Sequence, residues 1–452
     1  MRFVFVVSEC ESYAVSLFSA LLKREGHECH LVFDPRLFDS DEIEQPRLAR
    51  FFSIRKQNIE KVRALHPDYI GFSVYTQDYQ WAVEMARSLK GVAPIIFGGP
   101  HCILCADEVI KVPWIDLVCD GEGEQVILDL AAGKELSGIV HGPLANLDEL
   151  PIPDKEIFYE QKPVFRAGYT ISTGRGCPYH CSFCASCAIR YRYDRGALKG
   201  SVRQRSVDRV ITELLYAKLR YDFKTVYFTD DNLTLNGEWL SEFSRDYRKW
   251  IKTPFYCTAN PGTIQIKDIW YLKRAGCQMI GFGLQSTHEW TRKHILHRTG
   301  SNERILGIAK MCRDLGIRYS FDHILDVPGS EETLDGALDF YAEARPDIIN
   351  VFTMTYLPKI ELNKTLSPEE RECVERGMVR TSMLRKDNDE WSSALAKIQW
   401  GVRLPGRIPF YGRLLLKDLK RFMIGRRSDA TFPVRLLLSN MWDNLKIRGS
   451  HA

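Results

Sequence analysis

The chain has 452 residues, of which 45% are apolar and 27% charged, the composition of an ordinary globular protein with room for two or three domains. No run of eighteen apolar residues and no signal-peptide cleavage pattern occurs, so we expect neither a membrane span nor a secretory leader. The thirteen cysteines are spread over the chain, and their one dense cluster, four cysteines within residues 174–187, has metal-ligand spacing. This argues against a disulfide scaffold and favours a reducing cytoplasm.

Strand-like apolar runs alternate with amphipathic helical stretches along the first 140 residues. The runs are FVFVVS (3–8), ECHLVFD (28–34), YIGFSV (69–74), PIIFGG (94–99) and LVCDGEGE (117–124). Repeated β-α units of this length predict a doubly wound parallel sheet, which we assign to residues 1–143. Ligands of such sheets bind beyond the carboxyl ends of the strands, where this sequence has several glycines.

A segment with two prolines and several acidic residues, LANLDELPIPDKEIF (144–158), interrupts this pattern, and we predict a linker over 144–165. Six further strand-like runs then alternate with helical stretches. They are YTIST (169–173), TVYFTD (225–230), PFYCTA (254–259), MIGFGLQS (279–286), YSFDHILDV (319–327) and IINVFTMTYLP (348–358). They predict a partial (β/α)6 barrel over 166–358, followed by a mainly helical region over 359–452. In barrels, chemistry occurs at the C-terminal ends of the strands.

A cysteine-rich segment, GRGCPYHCSFCASC (174–187), directly follows the first barrel strand. The spacing C-x₃-C-x₂-C is formed by Cys177, Cys181 and Cys184. Thiolates in a compact loop bind iron–sulfur clusters, and a four-iron cluster held by three of them leaves one iron open for a substrate. If Cys187 were a fourth ligand, the site would be a ferredoxin-like electron carrier. We interpret Cys187 instead as a thiol one helical turn beyond Cys184, and a zinc site fits less well because zinc motifs usually come as two separated pairs.

The cysteine motif resembles the signature of the radical S-adenosylmethionine (SAM) superfamily, in which SAM chelates the open iron. YFTDDN (227–232), IGFGLQS (280–286) and HILDVPGSEET (323–333) are similar to the strand-end motifs of that superfamily. In the last of these segments, Asp326 stands where glycine is usual, and in the second Gln285 replaces the usual glutamate. The resemblance implies that SAM is contacted by Phe183, Asp230, Asp231, Gln285 and Ser286.

The fold of the N-terminal domain alone leaves nucleotide, flavodoxin-like and cobalamin binding open. The segments SVYT (73–76), GGPH (98–101) and DGEGE (120–124) resemble elements of the cobalamin-binding domains that precede some radical SAM barrels. The resemblance implies cobalamin contacts from Ser73, Thr76, Gly98, Gly99, Pro100, His101, Gly121, Gly123 and Glu124. The D-x-H-x-x-G loop of other cobalamin proteins is missing, so cobalt should lack that histidine ligand. We interpret His101 as a hydrogen-bonding loop residue rather than as a replacement ligand of cobalt.

Together these motifs resemble those of cobalamin-dependent radical SAM enzymes, which implies three cofactors: a [4Fe-4S] cluster, SAM and cobalamin. The resemblance implies hydrogen abstraction by a 5′-deoxyadenosyl radical, followed by methyl transfer from methylcobalamin to an unactivated carbon. It also implies an external electron donor of the flavodoxin or ferredoxin type. Cyclisation or rearrangement without methylation is one alternative, and a non-catalytic cobalamin and iron–sulfur sensor or electron carrier is another.

The net charge of +4 is unevenly distributed, because residues 401–452 contain eleven Lys/Arg and three Asp/Glu. Within this tail, YGRLLLKDLKRFMIGRR (411–427) has the pattern of a basic amphipathic helix, which either packs on the barrel or lies on an anionic membrane surface. Its basic residues are interleaved with aliphatic ones, so we do not expect nucleic-acid binding. The expected substrate is a small molecule or a lipid, and the expected location is the cytoplasm, with or without peripheral membrane contact.

Overall fold

The computed structural model describes residues 1–39, 46–195 and 200–377. The N-terminal part is a parallel sheet of six strands in the order β2-β1-β3-β4-β5-β6. Its strands are β1 (Arg2–Ser8), β2 (Glu28–Asp34), β3 (Tyr69–Ser73), β4 (Ile95–Gly98), β5 (Leu117–Cys119) and β6 (Gly138–Val140). Its helices are α1 (Tyr13–Arg24), α2 (Pro46–Phe52), α3 (Arg55–Ala64), α4 (Tyr79–Leu89), α5 (Pro100–Val109) and α6 (Glu124–Ala131). The predicted doubly wound sheet is therefore confirmed.

Helices cover both faces of this sheet, which explains why its strands read as continuous apolar runs. Phe3 and Phe5 of β1 belong to the core that includes α1 and α6. Val4 and Val6, which alternate with them, belong to the core under α3, α4 and α5. Successive side chains of one strand thus enter two different cores.

The second part is a parallel sheet of six strands in the order β7-β10-β11-β12-β13-β14. Its strands are β7 (Gly168–Ile171), β10 (Thr225–Phe228), β11 (Phe255–Ala259), β12 (Cys277–Gln285), β13 (Arg318–Leu325) and β14 (Ile348–Thr353). The main helices between them are α9 (Val207–Arg220), α10 (Gly237–Asp246), α11 (Ile266–Ala275), α12 (Asn302–Asp314) and α13 (Leu334–Ala344). The strands follow chain order, and β7 and β14 are the two edges of the sheet, as predicted for a partial barrel.

Two short strands interrupt the first β-α unit of this sheet. They are β8 (Gly174–Arg175) and β9 (Arg203–Gln204), which pair antiparallel on either side of helix α8 (Ala185–Arg195). The sequence analysis did not predict this hairpin. It matters because the cysteine loop lies between β8 and α8.

The segment predicted as a linker is packed rather than exposed. Helix α7 (Glu156–Tyr159) buries Ile157 and Phe158, and Lys155 just before it is fully buried. After β14, helix α14 (Pro368–Glu375) returns to the N-terminal part, where Val374 joins the core under α4 and α5. Among the helices that the structure describes, none is long and apolar enough to cross a bilayer. The predicted basic helix at 411–427 lies outside the described residues.

Candidate active site between the two sheets

A cavity of about 420 Å³ lies between the two parts of the chain. On the N-terminal side, its walls come from the loops that follow β1, β3, β4 and β5, and on the barrel side from β8, α8 and the end of β10. Of the residues predicted to contact cobalamin, all but Thr76 and His101 line it. The carboxyl ends of parallel strands from both sheets thus meet at one site, as expected for α/β proteins.

Glycines shape the N-terminal wall of this cavity. Gly99 has φ +102°, and a Cβ there would lie 2.7 Å from the backbone nitrogen of Val74. At Gly98, by contrast, a Cβ would meet only the Cβ of Cys119, at 3.6 Å. Gly99 is therefore required by the backbone, whereas Gly98 keeps the cavity wall flat.

The cavity extends from the barrel into the apolar core of the N-terminal sheet, where Phe5, Ile96 and Leu130 line it. At the other end Glu124 lines it, and its Oε2 is buried without a hydrogen-bond partner among the described residues. An apolar cleft beside a vacant acceptor fits a ligand with a flat aromatic tail and amide donors. Cobalamin has such groups in its benzimidazole tail and its amide side chains, so the cavity fits this cofactor.

His101 does not reach this cavity. It is fully buried, its Nδ1 lies 3.2 Å from the Thr76 hydroxyl, and its ring packs 4.2 Å from the ring of Tyr79. Burial lowers the pKa of His101 to about 4. His101 therefore lies in the first turn of α5 rather than in a loop, and its hydrogen-bond partner is the hydroxyl of Thr76.

The cysteine loop is held in place through its middle residue, Ser182. Its backbone nitrogen and hydroxyl donate to the carbonyls of Leu296 (3.3 Å) and Ile295 (2.6 Å), and its own carbonyl accepts from the nitrogen of Leu362 (3.0 Å). Residues that follow β12 and β14 therefore fix a loop that follows β7. This anchoring fixes the backbone between Cys181 and Cys184.

The three predicted ligands differ in their surroundings. Cys181 is buried, whereas Cys177 and Cys184 are half-buried. Burial raises the pKa of Cys177 to about 12, and the negative charge of Asp231 acts in the same direction. Burial also raises the pKa of Cys181, but Arg298 opposes this, because its Nη1 donates to the sulfur at 3.4 Å. Since thiolates are the ligands, this arginine favours the metal-binding form.

Cys187 is buried on the first turns of α8, where the nitrogen of Ala188 donates to the carbonyl of Cys184 at 3.4 Å. Burial raises the pKa of Cys187, and Arg190 opposes the shift. The residue thus lies one turn beyond Cys184, as predicted. Its role remains a prediction.

The two aspartates after β10 differ in their contacts. Both carboxylate oxygens of Asp230 accept from the backbone nitrogen of Thr173 at 3.0 Å, and one also accepts from its hydroxyl at 2.7 Å. Burial raises the pKa of Asp230 to about 6. Asp231 instead lines the cavity, where its side chain remains accessible to solvent; partial desolvation by the cavity walls raises its pKa, and the hydroxyl of Ser186 opposes this shift. Asp230 therefore fixes the turn that leads into the cysteine loop, and Asp231 faces the site.

The residues at the end of β12 also separate into two groups. A Cβ on Gly283 would lie 2.8 Å from Nε2 of Gln285 and 3.2 Å from Nη2 of Arg298, so these two side chains flank the same glycine. Ser286 is fully buried and donates to Glu332 at 2.7 Å, away from the cavity lining. Phe183 is partly buried against the core that lies under α3, α4 and α5. Sequence reasoning missed Arg298, because no motif marks it.

Two parallel α/β sheets that face each other across one cavity, with a three-cysteine loop at its edge, define a two-domain protein built for a metal cluster and a second large ligand. Two family models identify these parts. Residues 171–341 match the radical SAM superfamily and residues 4–131 match the B12 binding domain. The chain therefore belongs to the radical SAM superfamily, in the branch that carries a B12-binding domain ahead of the barrel.

Curated proteins and solved structures match half or more of the chain. The chain is 28% identical over 253 residues to the uncharacterized methyltransferase PH0819 of Pyrococcus horikoshii, covering 50% of this chain and 53% of that protein. It is 23% identical over 472 residues to the hopanoid C-3 methylase of Methylococcus capsulatus, covering 98% and 80%. The structure of the radical SAM methyltransferase TsrM from Kitasatospora setae, with tryptophan substrate and a SAM analog bound, superposes with a TM-score of 0.64 at 15% identity, covering 90% and 89%. The match to PH0819 thus spans about half of that relative.

Proposed function

We propose that this protein is a cobalamin-dependent radical SAM methyltransferase that acts on an unactivated carbon of an organic substrate. One observation carries the proposal: a single cavity is lined both by the strand-end glycines of the B12-binding domain and by Asp231 and Ser186 beside the cysteine loop. Such a cavity gives two cofactors access to one substrate. The names of the relatives, two of them methyltransferases and one a methylase, support the same reaction class.

Separate groups of residues have the proposed roles in binding the cofactors. Cys177, Cys181 and Cys184 would hold the [4Fe-4S] cluster, with Arg298 beside one of the sulfurs. When bound, the cluster and SAM supply a 5′-deoxyadenosyl radical for hydrogen abstraction, and cobalamin supplies the methyl group. The protein contributes orientation of the reacting groups and restricts the access of water to them.

Among the predicted SAM contacts, Asp231 has the best-supported role. It faces the cavity and is the carboxylate that could meet the SAM ammonium group, whereas the oxygens of Asp230 are already engaged by Thr173. Gln285 is a neutral contact beside Arg298. Phe183 is proposed to pack against the adenine side, and Ser286 acts through Glu332 rather than directly.

We propose a small-molecule substrate and an external electron donor of the flavodoxin or ferredoxin type. Membrane contact through 411–427 is a separate prediction. Liposome flotation of the full chain, compared with a chain that ends near Gly401, tests it, and equal flotation of the two would contradict it.

The first experiment uses protein reconstituted anaerobically with iron and sulfide, then supplied with SAM, cobalamin and titanium citrate. Wild type and Cys187→Ala should both hold a cluster and form 5′-deoxyadenosine, and Cys184→Ala should do neither. Methylation of a substrate adds one methylene to its mass, whereas cyclisation or rearrangement does not. A wild type that binds both cofactors but leaves SAM intact would instead be a sensor or an electron carrier, and the proposal would fail.

A further inference from the structure

Three acidic residues, two in the loop between β5 and α6 and one at the first position of α6, face arginines from the other part of the chain. The carboxylates of Asp120, Glu122 and Glu124 are 3%, 9% and 8% exposed. The ion pairs are Asp120 with Arg192, Glu122 with Arg203 and with Arg175 (3.0 Å), and Glu124 with Arg175 (2.5 Å). We call this set the interdomain clamp. In the sequence these acids were interpreted only as part of a cobalamin motif.

The arginines of the clamp lie on both sides of the cysteine loop. Arg175 and Arg203 are register partners in the β8–β9 hairpin, and Arg175 precedes Cys177 by two residues. Arg192 lies on α8, which begins directly after Cys184. The clamp therefore connects both ends of the loop to the B12-binding domain.

The acidic loop is also a wall of the cavity, through Gly121 and Gly123. A Cβ on Gly121 would lie 2.3 Å from the carbonyl oxygen of Gly142, so the loop is packed tightly against its own domain. Glu122 is further fixed by the backbone nitrogen of Ala145, at 2.7 Å. A displacement of the arginines would thus move the cysteine loop relative to the cavity wall.

The charges of the clamp are strongly coupled. Burial disfavours the ionised form of Glu122, yet Arg175 and Arg203 outweigh this and hold its pKa below the usual range. The carboxylates of the clamp are buried, whereas its arginines are 21–41% exposed. Such pairs add little to fold stability, because solvent screening and desolvation offset the attraction. Directional pairs between two domains instead fix one relative position, since a guanidinium fork matches carboxylates in few orientations.

We propose that the interdomain clamp is a positioning device that sets the distance between the B12-binding domain and the cysteine loop. The inference rests on the proposed function, in that it assumes a cluster in the loop and cobalamin in the cavity. The residues of the clamp touch the walls of the site, and Arg175 is the one that joins two carboxylates. Misplacement of reacting groups by about 1 Å can lower a rate by about 100-fold, so such a device has a kinetic consequence.

The test uses the full chain loaded with cluster and cobalamin, without substrate, and reduced with sodium dithionite to a point at which the cluster is reduced while cob(II)alamin is still present. A reduced cluster relaxes and broadens the EPR signal of cob(II)alamin in a way that depends on the distance between them. We expect Arg175→Gln and Arg192→Gln to change this broadening while iron and cobalamin contents stay at wild-type levels. Arg175→Lys keeps the charge but loses the fork, and it should give an intermediate change. Lys310→Gln, in an exposed pair with Asp314, is the control and should match wild type.

Unchanged broadening in both glutamine variants at full cofactor content would overturn the proposal. Loss of cluster or cobalamin from both variants would also overturn it, since a positioning device acts on cofactors that are already bound. The readout requires neither SAM cleavage nor methyl transfer. An altered EPR signal in a protein that never methylates would therefore support the clamp and refute the proposed function, so the two failures are distinguishable.

Discussion

The buried ion pair between Lys155 and Glu11 gives the most direct test of how the two parts of the chain are joined. The Lys155 side chain is 0% exposed and that of Glu11 is 7% exposed. The ammonium also lies 5.1 Å from the ring centre of Tyr13 and 5.4 Å from that of Tyr169. Replacing Lys155 with Met leaves the Glu11 carboxylate buried, with the hydroxyl of Thr170, at 3.5 Å, as its one remaining hydrogen-bond partner among residues 1–39, 46–195 and 200–377. We expect the free energy of unfolding to fall by about 3–5 kcal/mol, the usual cost of removing one partner from a buried pair.

The assay is urea denaturation followed by tryptophan fluorescence. Lys155→Met combined with Glu11→Gln should recover at least about 2 kcal/mol, because no uncompensated charge remains. Lys310→Met breaks a pair with Asp314 whose side chains are 70% and 54% exposed, so it should cost less than about 1 kcal/mol. If the single and double variants at position 155 were equally destabilised, the reasoning about the unpaired carboxylate would be wrong.

Two further predictions concern the N-terminal sheet. Gly99→Ala should cost at least about 2 kcal/mol from its positive φ and its contact with Val74, whereas Gly98→Ala should change stability by less than about 1 kcal/mol; equal melting temperatures of the two variants would contradict this. Since burial lowers the pKa of His101 from 6.5 to about 4, the unfolded chain takes up the proton first, and stability present above pH 6.5 is lost as the pH falls toward 4. The shift corresponds to about 3 kcal/mol, and His101→Gln should remove this part of the pH dependence in urea titrations at pH 7 and 4.5; parallel loss in both proteins would refute it.

The strands were predictable because burial on both faces leaves long apolar runs in the sequence. All five predicted N-terminal strands and all six predicted barrel strands are present, with ends that differ by a few residues. The strands that were missed are β6, β8 and β9, which have three, two and two residues. Segments this short show no periodicity, and their existence depends on the partner strand rather than on their own composition.

The motifs predicted which strand ends lie at the cavity but did not determine the direction of each side chain. Gly98 and Asp231 face the cavity as expected. Asp230 and Ser286, which belong to the segments YFTDDN and IGFGLQS, are instead hydrogen-bonded to Thr173 and Glu332. Neighbouring residues at the end of a strand point to opposite sides, so a motif predicts the location of a group better than its partner.

The contacts of the acidic segment 120–124 show why part of the site could not be predicted from the sequence. The sequence predicts Glu124 as a cofactor contact, and in the part of the chain that the structure describes its Oε2 has no hydrogen-bond partner and the residue lines the cavity. Its Oε1, however, accepts from Arg175, which lies 51 residues along the chain. One carboxylate can therefore serve the ligand and the interdomain clamp together, because its two oxygens point to different partners. Such a division depends on contacts between distant segments, and no local spacing encodes it.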